Sequence, residues 1–131
     1  MKHRLSFAYF NLLSDNIVEV VVDDGIEMTM EMIEECHDFI GEHMTGEFGM
    51  LINRVNNYSY TYEAKLSVAS YDGLKAIAFV YYSPTSKELS HELYQLRITD
   101  KWNYRLFSGL ELGWQQAYEW LQKELSVVNV S

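Results

Sequence analysis

LKAIAFVYY, at residues 74–82, decides the fold. Apart from Lys75 near its start, this run is apolar on both faces of an extended chain. A strand with two apolar faces is typical of the middle of a parallel sheet that carries helices on both sides. Pro84 ends the run, and residues 85–88 (TSKE) have the capping-box pattern that predicts a helix start. The sequence therefore predicts a buried central strand followed by a helix.

The rest of the chain alternates between the hydrophobic periods of strands and helices. Alternating or continuous apolar runs predict four further strands, at residues 5–13, 16–23, 48–55 and 102–107. Three- and four-residue apolar spacing predicts helices that begin at Thr29, Tyr62 and residues 85 and 108. The helix that begins at Tyr62 is expected to end at residue 71. The expected fold is α/β in one domain, residues 1–131, with a mixed, mostly parallel five-stranded sheet and about four helices in the order ββαβαβαβα.

The last helix has its own start signal. Residues 108–111 (SGLE) repeat the capping-box pattern. Apolar residues then recur at helical spacing as far as Leu125, and Leu110 is the first of them. The pattern predicts a helix from residue 108 whose inner face begins at Leu110.

The charge of the chain limits its partners. The 131 residues carry a formal net charge of −9, with a sequence pI near 4.8. Nucleic acids and anionic membrane surfaces attract lysine- and arginine-rich surfaces, which an acidic chain lacks. We therefore expect no nucleic-acid partner and no insertion into a membrane.

Cysteine usage and the amino-terminal stretch bear on location. Cys36 is the only cysteine, so the chain cannot close a disulfide on itself, which is typical of a reducing compartment. The apolar part of residues 5–13 is short and interrupted, which favours a strand over a signal peptide. The longest apolar run, residues 76–82, is too short to span a bilayer. The expected location is cytoplasmic.

Two stretches carry a resemblance to a known family. RLFSGLELGWQQAYEWLQKEL (residues 105–125) places Ala117, Trp120 and Leu121 in an A-x-x-W-L pattern, and KAIAFVYYS (residues 75–83) precedes the third helix. With the element order, these stretches resemble the STAS fold in its SpoIIAA-like branch, which is related to anti-sigma-factor antagonists. The resemblance implies a non-enzymatic regulatory module that binds a protein partner in signalling, as a homodimer.

The sequence differs from that family at the regulatory position. Anti-sigma-factor antagonists carry an Asp-Ser-Ser-Gly-like motif where the third strand leads into a helix, and one serine is phosphorylated. This chain has VNNYSYTYE at residues 55–63 instead. Ser59 and Thr61 are its nearest hydroxyl groups besides the tyrosines, so the resemblance implies them as possible phosphorylation sites, with Ser59 preferred.

Polar side chains follow the predicted strands at the edge where ligands bind in open α/β sheets. The candidate residues for binding a ligand or a partner are Asn53, Arg54, Asn57, Tyr58, Ser59, Tyr60, Thr61, Ser83 and Ser108. Their amides, hydroxyls and aromatic rings can line a binding surface. The same residues can also cap helices, shape turns and cover the end of the sheet.

No set of residues supports catalysis or metal binding. Glu34 and His37 give one Glu-x-x-His, but a di-iron site needs a second copy on facing helices. His91 begins like a zinc-protease helix, but Gln95 stands at the second histidine position. We expect no enzyme activity, no cofactor and no metal. The leading prediction is a binding or regulatory module. The alternative is a carrier or sensor of a small apolar or anionic ligand at the carboxyl-end rim of the sheet.

Overall fold

The structure, a computed structural model, describes residues 2–127, which form eight strands and four α-helices. The strands are β1 (Lys2–Arg4), β2 (Ala8–Ser14), β3 (Ile17–Val22), β4 (Glu27–Met28), β5 (Phe48–Asn53), β6 (Ser59–Tyr60), β7 (Leu74–Tyr81) and β8 (Tyr104–Ser108). The helices are α1 (Met30–His43), α2 (Tyr62–Ser67), α3 (Pro84–Leu96) and α4 (Gly113–Val127), with 3₁₀ turns at Ile98–Asp100 and Gly109–Glu111.

Six strands make the main sheet, in the order β1-β2-β3-β5-β7-β8. The β3–β5, β5–β7 and β7–β8 pairs are parallel, and β1–β2 and β2–β3 are antiparallel. This confirms the mixed, mostly parallel α/β class and the four helices. The predicted count of five strands was wrong. Lys2–Arg4 adds an edge strand despite its charges, because it pairs through its backbone with β2. The two-residue strands β4 and β6 form a separate parallel pair, too short to show a period.

One face of the sheet lies under α1, α2 and α3. Phe10, Met50, Ile33 and Ile40 are buried there between β2, β5 and α1. Thr29 caps α1 as the sequence predicts, because its hydroxyl oxygen accepts a hydrogen bond from the Met32 N–H at 3.4 Å. Farther along the sheet, α3 packs on β7, and the buried side chains there are Ile77, Phe79 and Leu93.

The other face lies under α4, which packs on β5, β7 and β8. Leu121 and Leu125 lie directly over Gly49, which leaves room for them because it has no side chain. Over β2 and β3 the same face carries four side chains that stay partly exposed, and we call this surface the open face. Its residues are Tyr9, Asn11, Leu13 and Val21.

The predicted start of the last helix was wrong. Gly109–Glu111 form a 3₁₀ turn, Leu112 adopts the left-handed conformation with φ 62°, and α4 begins only at Gly113. Leu110 is therefore 77% exposed and takes no part in the inner face of the helix. The apolar residues at helical spacing begin at Trp114 in the structure, and they form the inner face of the helix without Leu110.

Two other helix bounds differ from the prediction for local reasons. The third helix begins at Pro84 with Ser83 as its cap, because proline favours the first helical position. The second helix stops at Ser67, four residues earlier than the pattern predicts. The chain leaves it through Ala69, which adopts the left-handed conformation with φ 60° and cannot continue a helix.

Candidate functional site

Two of the candidate hydroxyls cap helices at the rim where the parallel strands end. Thr61 Oγ1 accepts a hydrogen bond from the Ala64 N–H at 3.1 Å, at the start of α2. Ser83 Oγ accepts one from the Ser86 N–H at 3.2 Å, at the start of α3. Both side chains therefore satisfy backbone groups that a helix start leaves unpaired.

Arg54 is the most deeply buried charged residue of the candidate segment. It is 2% exposed, it donates from Nη2 to the carbonyl of Tyr58 at 3.0 Å, and its guanidinium lies 4.2 Å from the centre of the Tyr58 ring. Its Nε and Nη1 have no hydrogen-bond acceptor among residues 2–127. The segment after β5 thus folds back over a buried cation and covers this end of the core.

The tyrosines of this segment do not form an exposed patch. Tyr58 is buried, Tyr60 is largely buried, and their rings make an edge-to-face contact with centres 5.7 Å apart. Burial raises the pKa of the Tyr60 hydroxyl well above its usual value, and the nearby Tyr58 raises it further. Tyr62, at 66%, is the exposed member of the run. The rings therefore close the core and leave little aromatic surface for a partner.

The remaining candidates of this segment lie at the surface. Ser59 is exposed in β6, and the Asn57 N–H donates to Asp24 Oδ1 at 3.0 Å. Ser108 ends β8 and is partly exposed. Ser59 is therefore accessible for modification, whereas the Thr61 hydroxyl is engaged as a cap.

Asn53 lies on the other face of the sheet and belongs to a polar group that we call the Glu19 cluster. Its members are Asn11, Glu19, Asn53 and Trp114. The Glu19 carboxylate, only 8% exposed, accepts hydrogen bonds from Trp114 Nε1 at 2.7 Å, Asn53 Nδ2 at 3.0 Å and Asn11 Nδ2 at 3.3 Å. The fold places them together because β2 and β5 flank β3, and Asn11 pairs directly with Glu19.

The Glu19 cluster contains a buried negative charge held by neutral donors. No lysine or arginine within residues 2–127 makes an ion pair with Glu19. Tyr82 borders the cluster, and the pKa of its hydroxyl is raised by burial and by the Glu19 charge, an effect that its hydrogen bond with Asn53 opposes. Asn53 Oδ1 is buried and has no hydrogen-bond donor in the described part of the chain.

A loop beside the cluster presents two leucines to solvent. We call residues 109–112 the rim loop, since they follow the carboxyl end of β8. Leu110 is 77% exposed and Leu112 is 79% exposed. The loop is held at both ends by glycines that have no room for a side chain: a Cβ on Gly109 would overlap the Tyr82 ring, and one on Gly113 would overlap the Ser108 carbonyl. The two leucines are thus displayed on a loop whose two ends are closely packed.

Glu19, Trp114 and the two exposed leucines are not among the site residues predicted from the sequence. Glu19 did leave a signal, since it interrupts the apolar strand NIVEVVVD. A charged residue on the buried face of a strand needs partners, and this need could have identified the site. The exposure of Leu110 left no comparable signal, because its four-residue spacing to Trp114 also fits an amphipathic helix. Leu112 lies off that spacing, and no pattern singled it out.

The described cavities favour a surface site over an internal ligand. An enclosed apolar cavity of about 40 Å³ lies between the sheet and α1–α3, with Tyr58 and Tyr60 in its wall. That volume holds a few water molecules, whereas sites for organic ligands occupy roughly 300 Å³ or more. An open pocket of about 570 Å³ lies between the ends of α2 and α3, near the start of β7 and away from the carboxyl-end rim.

Cys36 forms part of the wall of the small cavity, and we expect it to be unreactive in the folded protein. Burial raises the pKa of its thiol to about 12, and the nearby Glu35 adds to the shift. At pH 8 only about one thiol in ten thousand would then be ionised, and the thiolate is the nucleophile. Iodoacetamide should therefore modify the native protein far more slowly than the protein unfolded in guanidinium chloride, as followed by intact mass. Equal rates in the two states would contradict the burial of Cys36.

Residues 2–127 offer no metal centre. No group of three or more histidine, cysteine, aspartate or glutamate side chains is placed to hold a metal ion there. None of the described helices combines the length and the apolar character that crossing a bilayer requires.

No protein-family model, curated protein or solved structure matches the chain. The resemblance to the SpoIIAA-like branch therefore stays a prediction, and the function must be inferred from geometry.

Proposed function

We propose that the protein is a non-enzymatic, STAS-like binding module of the cytoplasm that regulates a protein partner by docking it on the rim loop. The observation that carries the proposal is the exposure of Leu110 and Leu112, 77% and 79%, on a loop whose two ends are closely packed. Large apolar side chains that are held out in water are typical of interaction sites when they are grouped.

The backbone at Leu112 supports this proposal. Leucine is disfavoured in the left-handed conformation, at a cost of roughly 1–3 kcal/mol, which glycine would avoid. The side chain of Leu112 makes little contact with the fold that would offset this cost, since it is 79% exposed. Leucine at this position is understandable if the side chain packs against a partner.

The negative charge of the chain and of the rim loop indicates which kind of partner can dock there. Glu111 lies between the two leucines, and the whole chain carries −9. Opposite potentials at an interface speed association and disfavour wrong partners. The expected partner surface is therefore apolar and flanked by lysine or arginine. A second copy of this acidic chain would meet like charge at the rim loop, so the predicted homodimer would need a different surface.

The carrier alternative has less support. Its ligand would need a cavity at the rim, and the enclosed cavity that Tyr58 and Tyr60 line holds about 40 Å³. The buried Arg54, with two donors that lack acceptors within residues 2–127, is the observation that keeps an anionic ligand in consideration. Such a ligand would have to displace Tyr58 first.

A photo-crosslinking amino acid at position 110, expressed in the native host, tests the proposal. The matched control is position 98, because Ile98 is 56% exposed in the turn after α3 and lies outside the rim loop. A partner should cross-link from position 110 and not from position 98. Once that partner is purified, it should bind the wild-type protein in isothermal titration calorimetry. Equal capture at both positions, or no binding by the purified partner, would reject docking at the rim loop.

We expect Leu112→Gly to separate binding from stability. Glycine relieves the left-handed strain, so the free energy of unfolding should be unchanged or raised by up to about 1 kcal/mol. The loss of the side chain should weaken partner binding about tenfold or more, because burying a leucine contributes roughly 1.5–3 kcal/mol. Urea unfolding and calorimetry measure the two effects. A variant that binds as tightly as the wild-type protein would show that Leu112 is not an anchor.

A further inference from the structure

We propose that the Glu19 cluster is a recognition site for a lysine or arginine side chain of the docked partner. This inference rests on the proposed function, since the site lies next to the rim loop. Trp114 is the second residue after Leu112 along the chain, and it donates directly to Glu19. A partner segment that places an apolar residue on Leu112 can therefore present a neighbouring basic residue to Glu19.

The charge of Glu19 is not paired with a cation within residues 2–127. Glu19 is 8% exposed, and its three hydrogen-bond donors are two amides and an indole, all neutral. The amino-terminal end of α4, near Trp114, offers partial compensation through the helix dipole. A buried carboxylate is ordinarily paired with a cation, because the loss of hydration is costly.

The cations of the neighbouring edge strand are already engaged elsewhere. Lys2 Nζ lies 4.7 Å from the centre of the Tyr9 ring, and the Arg4 guanidinium packs over the same ring at 5.4 Å. Arg4 also forms an ion pair with Asp23, which holds the pKa of that carboxyl below its usual value. Neither side chain compensates Glu19, which leaves the site free to take a cation from another molecule.

The Glu19 cluster has acceptor oxygens that its own donors leave poorly satisfied. The Asn53 amide nitrogen must face the Glu19 carboxylate, because turning the amide over would place two acceptors against each other. This orientation leaves Asn53 Oδ1 buried and without a donor in the described chain. Glu19 Oε1 accepts only the long 3.3 Å bond from Asn11. Ammonium and guanidinium groups supply several donors and accept none, so they match this deficit.

A side chain from another molecule can approach Glu19 across the open face. The remaining exposure of Glu19 lies on the sheet face where Asn11, Leu13 and Val21 are partly exposed. Trp114 and Tyr118 border it from α4, with stacked rings whose centres are 5.7 Å apart. Aromatic rings and aliphatic side chains are suitable walls for the long apolar stem of lysine or arginine, and they favour its charged end.

The experiment uses two acetylated and amidated peptides, Ser-Leu-Lys-Leu-Ser and the same sequence with glutamine in place of lysine. Binding is read from the Trp114 indole N–H signal in a ¹⁵N–¹H NMR titration, with the signal assigned from Trp114→Phe. The lysine peptide should shift this signal saturably. The glutamine peptide should bind at least about tenfold more weakly, because it lacks the charge. Failure of the lysine peptide to bind, or equal affinity for both peptides, would overturn the site.

Glu19→Gln is the decisive variant because it should fold. Its amide oxygen can keep the bonds from Trp114 and Asn53, and its N–H group would replace Oε1, which accepts only the long bond from Asn11. The partly exposed Asn11 amide can turn over and present its oxygen to that N–H group. We expect an unchanged or higher melting temperature, together with at least a tenfold loss of affinity for the lysine peptide. If the Glu19→Gln variant bound the lysine peptide as tightly as the wild-type protein does, the inference would be overturned.

The same variants separate the two proposals. If Leu112→Gly loses the purified partner while Glu19→Gln binds it normally, docking at the rim loop stands and the cation site is rejected. If both variants bind the partner normally, docking at the rim loop is rejected, and the cation site, as a site for that partner, is rejected with it.

Discussion

Arg97→Ala is expected to lower the free energy of unfolding by about 3–4 kcal/mol. Arg97 is 6% exposed and joins the end of α3 to the end of α2. Its guanidinium lies 4.8 Å from the centre of the Trp102 ring and donates to four groups: Lys65 O at 3.1 Å, Val68 O, Ser70 Oγ at 2.8 Å and the Asp100 carboxylate. Alanine would leave the last carbonyls of α2 without a donor, since α2 ends in no glycine cap.

Arg105→Ala is the matched control, because Arg105 is exposed and only packs over the Phe107 ring at 5.3 Å. Arg105→Ala should lower the free energy of unfolding by less than about 1 kcal/mol. Arg97→Lys should fall between the two variants, because an ammonium group cannot reach all four acceptors at once. Urea denaturation followed by circular dichroism measures all three. If Arg97→Ala and Arg105→Ala lowered the free energy of unfolding equally, the Arg97 guanidinium would not hold α2 to α3.

Gly113→Ala is expected to destabilise the protein by about 2–3 kcal/mol, because its Cβ would overlap the backbone of Ser108. The overlap cannot be relieved by a side-chain rotation, since the neighbouring atoms belong to the main chain. The rim loop would have to open, which would also disturb the position of Trp114. We therefore expect a lower unfolding free energy and a changed Trp114 indole signal in the same variant.

Gly41→Ala is the matched control for Gly113→Ala. Gly41 lies inside α1, and a methyl group added there would meet no other part of the protein within 4 Å. Alanine there should raise the free energy of unfolding by about 0.5–1 kcal/mol, because it favours the helix and restricts the unfolded chain. If Gly113→Ala lowered the free energy of unfolding by no more than the size of the change that Gly41→Ala causes, the tight approach to Ser108 would be absent in solution.

The fold was largely predictable because its core obeys simple periods. The run from Leu74 to Tyr82 indicated a central strand, and β7 occupies the middle of the parallel part of the sheet. The Thr29 cap was also predicted correctly, since a threonine before an amphipathic run has few other uses. The edge strand at Lys2–Arg4 was missed because backbone pairing alone forms it. Edge strands of this kind have no hydrophobic pattern to detect.

The candidate site was predictable only in part. The rim position of Asn53 and Arg54 follows from the end of a strand, which sequence patterns locate within a few residues. Which face each side chain takes depends on the register, and the two residues point to opposite faces. Leu110 was misplaced because the chain passes through Leu112 in the left-handed conformation, between Gly109 and Gly113, which closely approach Tyr82 and Ser108. Such contacts exist only in three dimensions.

The short pair of strands β4 and β6 has a mechanical consequence. The Ser59 N–H donates to the carbonyl of Ile26 at 3.0 Å, and the Thr61 N–H donates to that of Met28 at 2.9 Å. These bonds fasten the segment before α2 to the segment before α1. The two helix starts are therefore linked by main-chain hydrogen bonds. A shift of the backbone at Ser59, such as one caused by phosphorylation, would also displace the segment that leads into the first turn of α1.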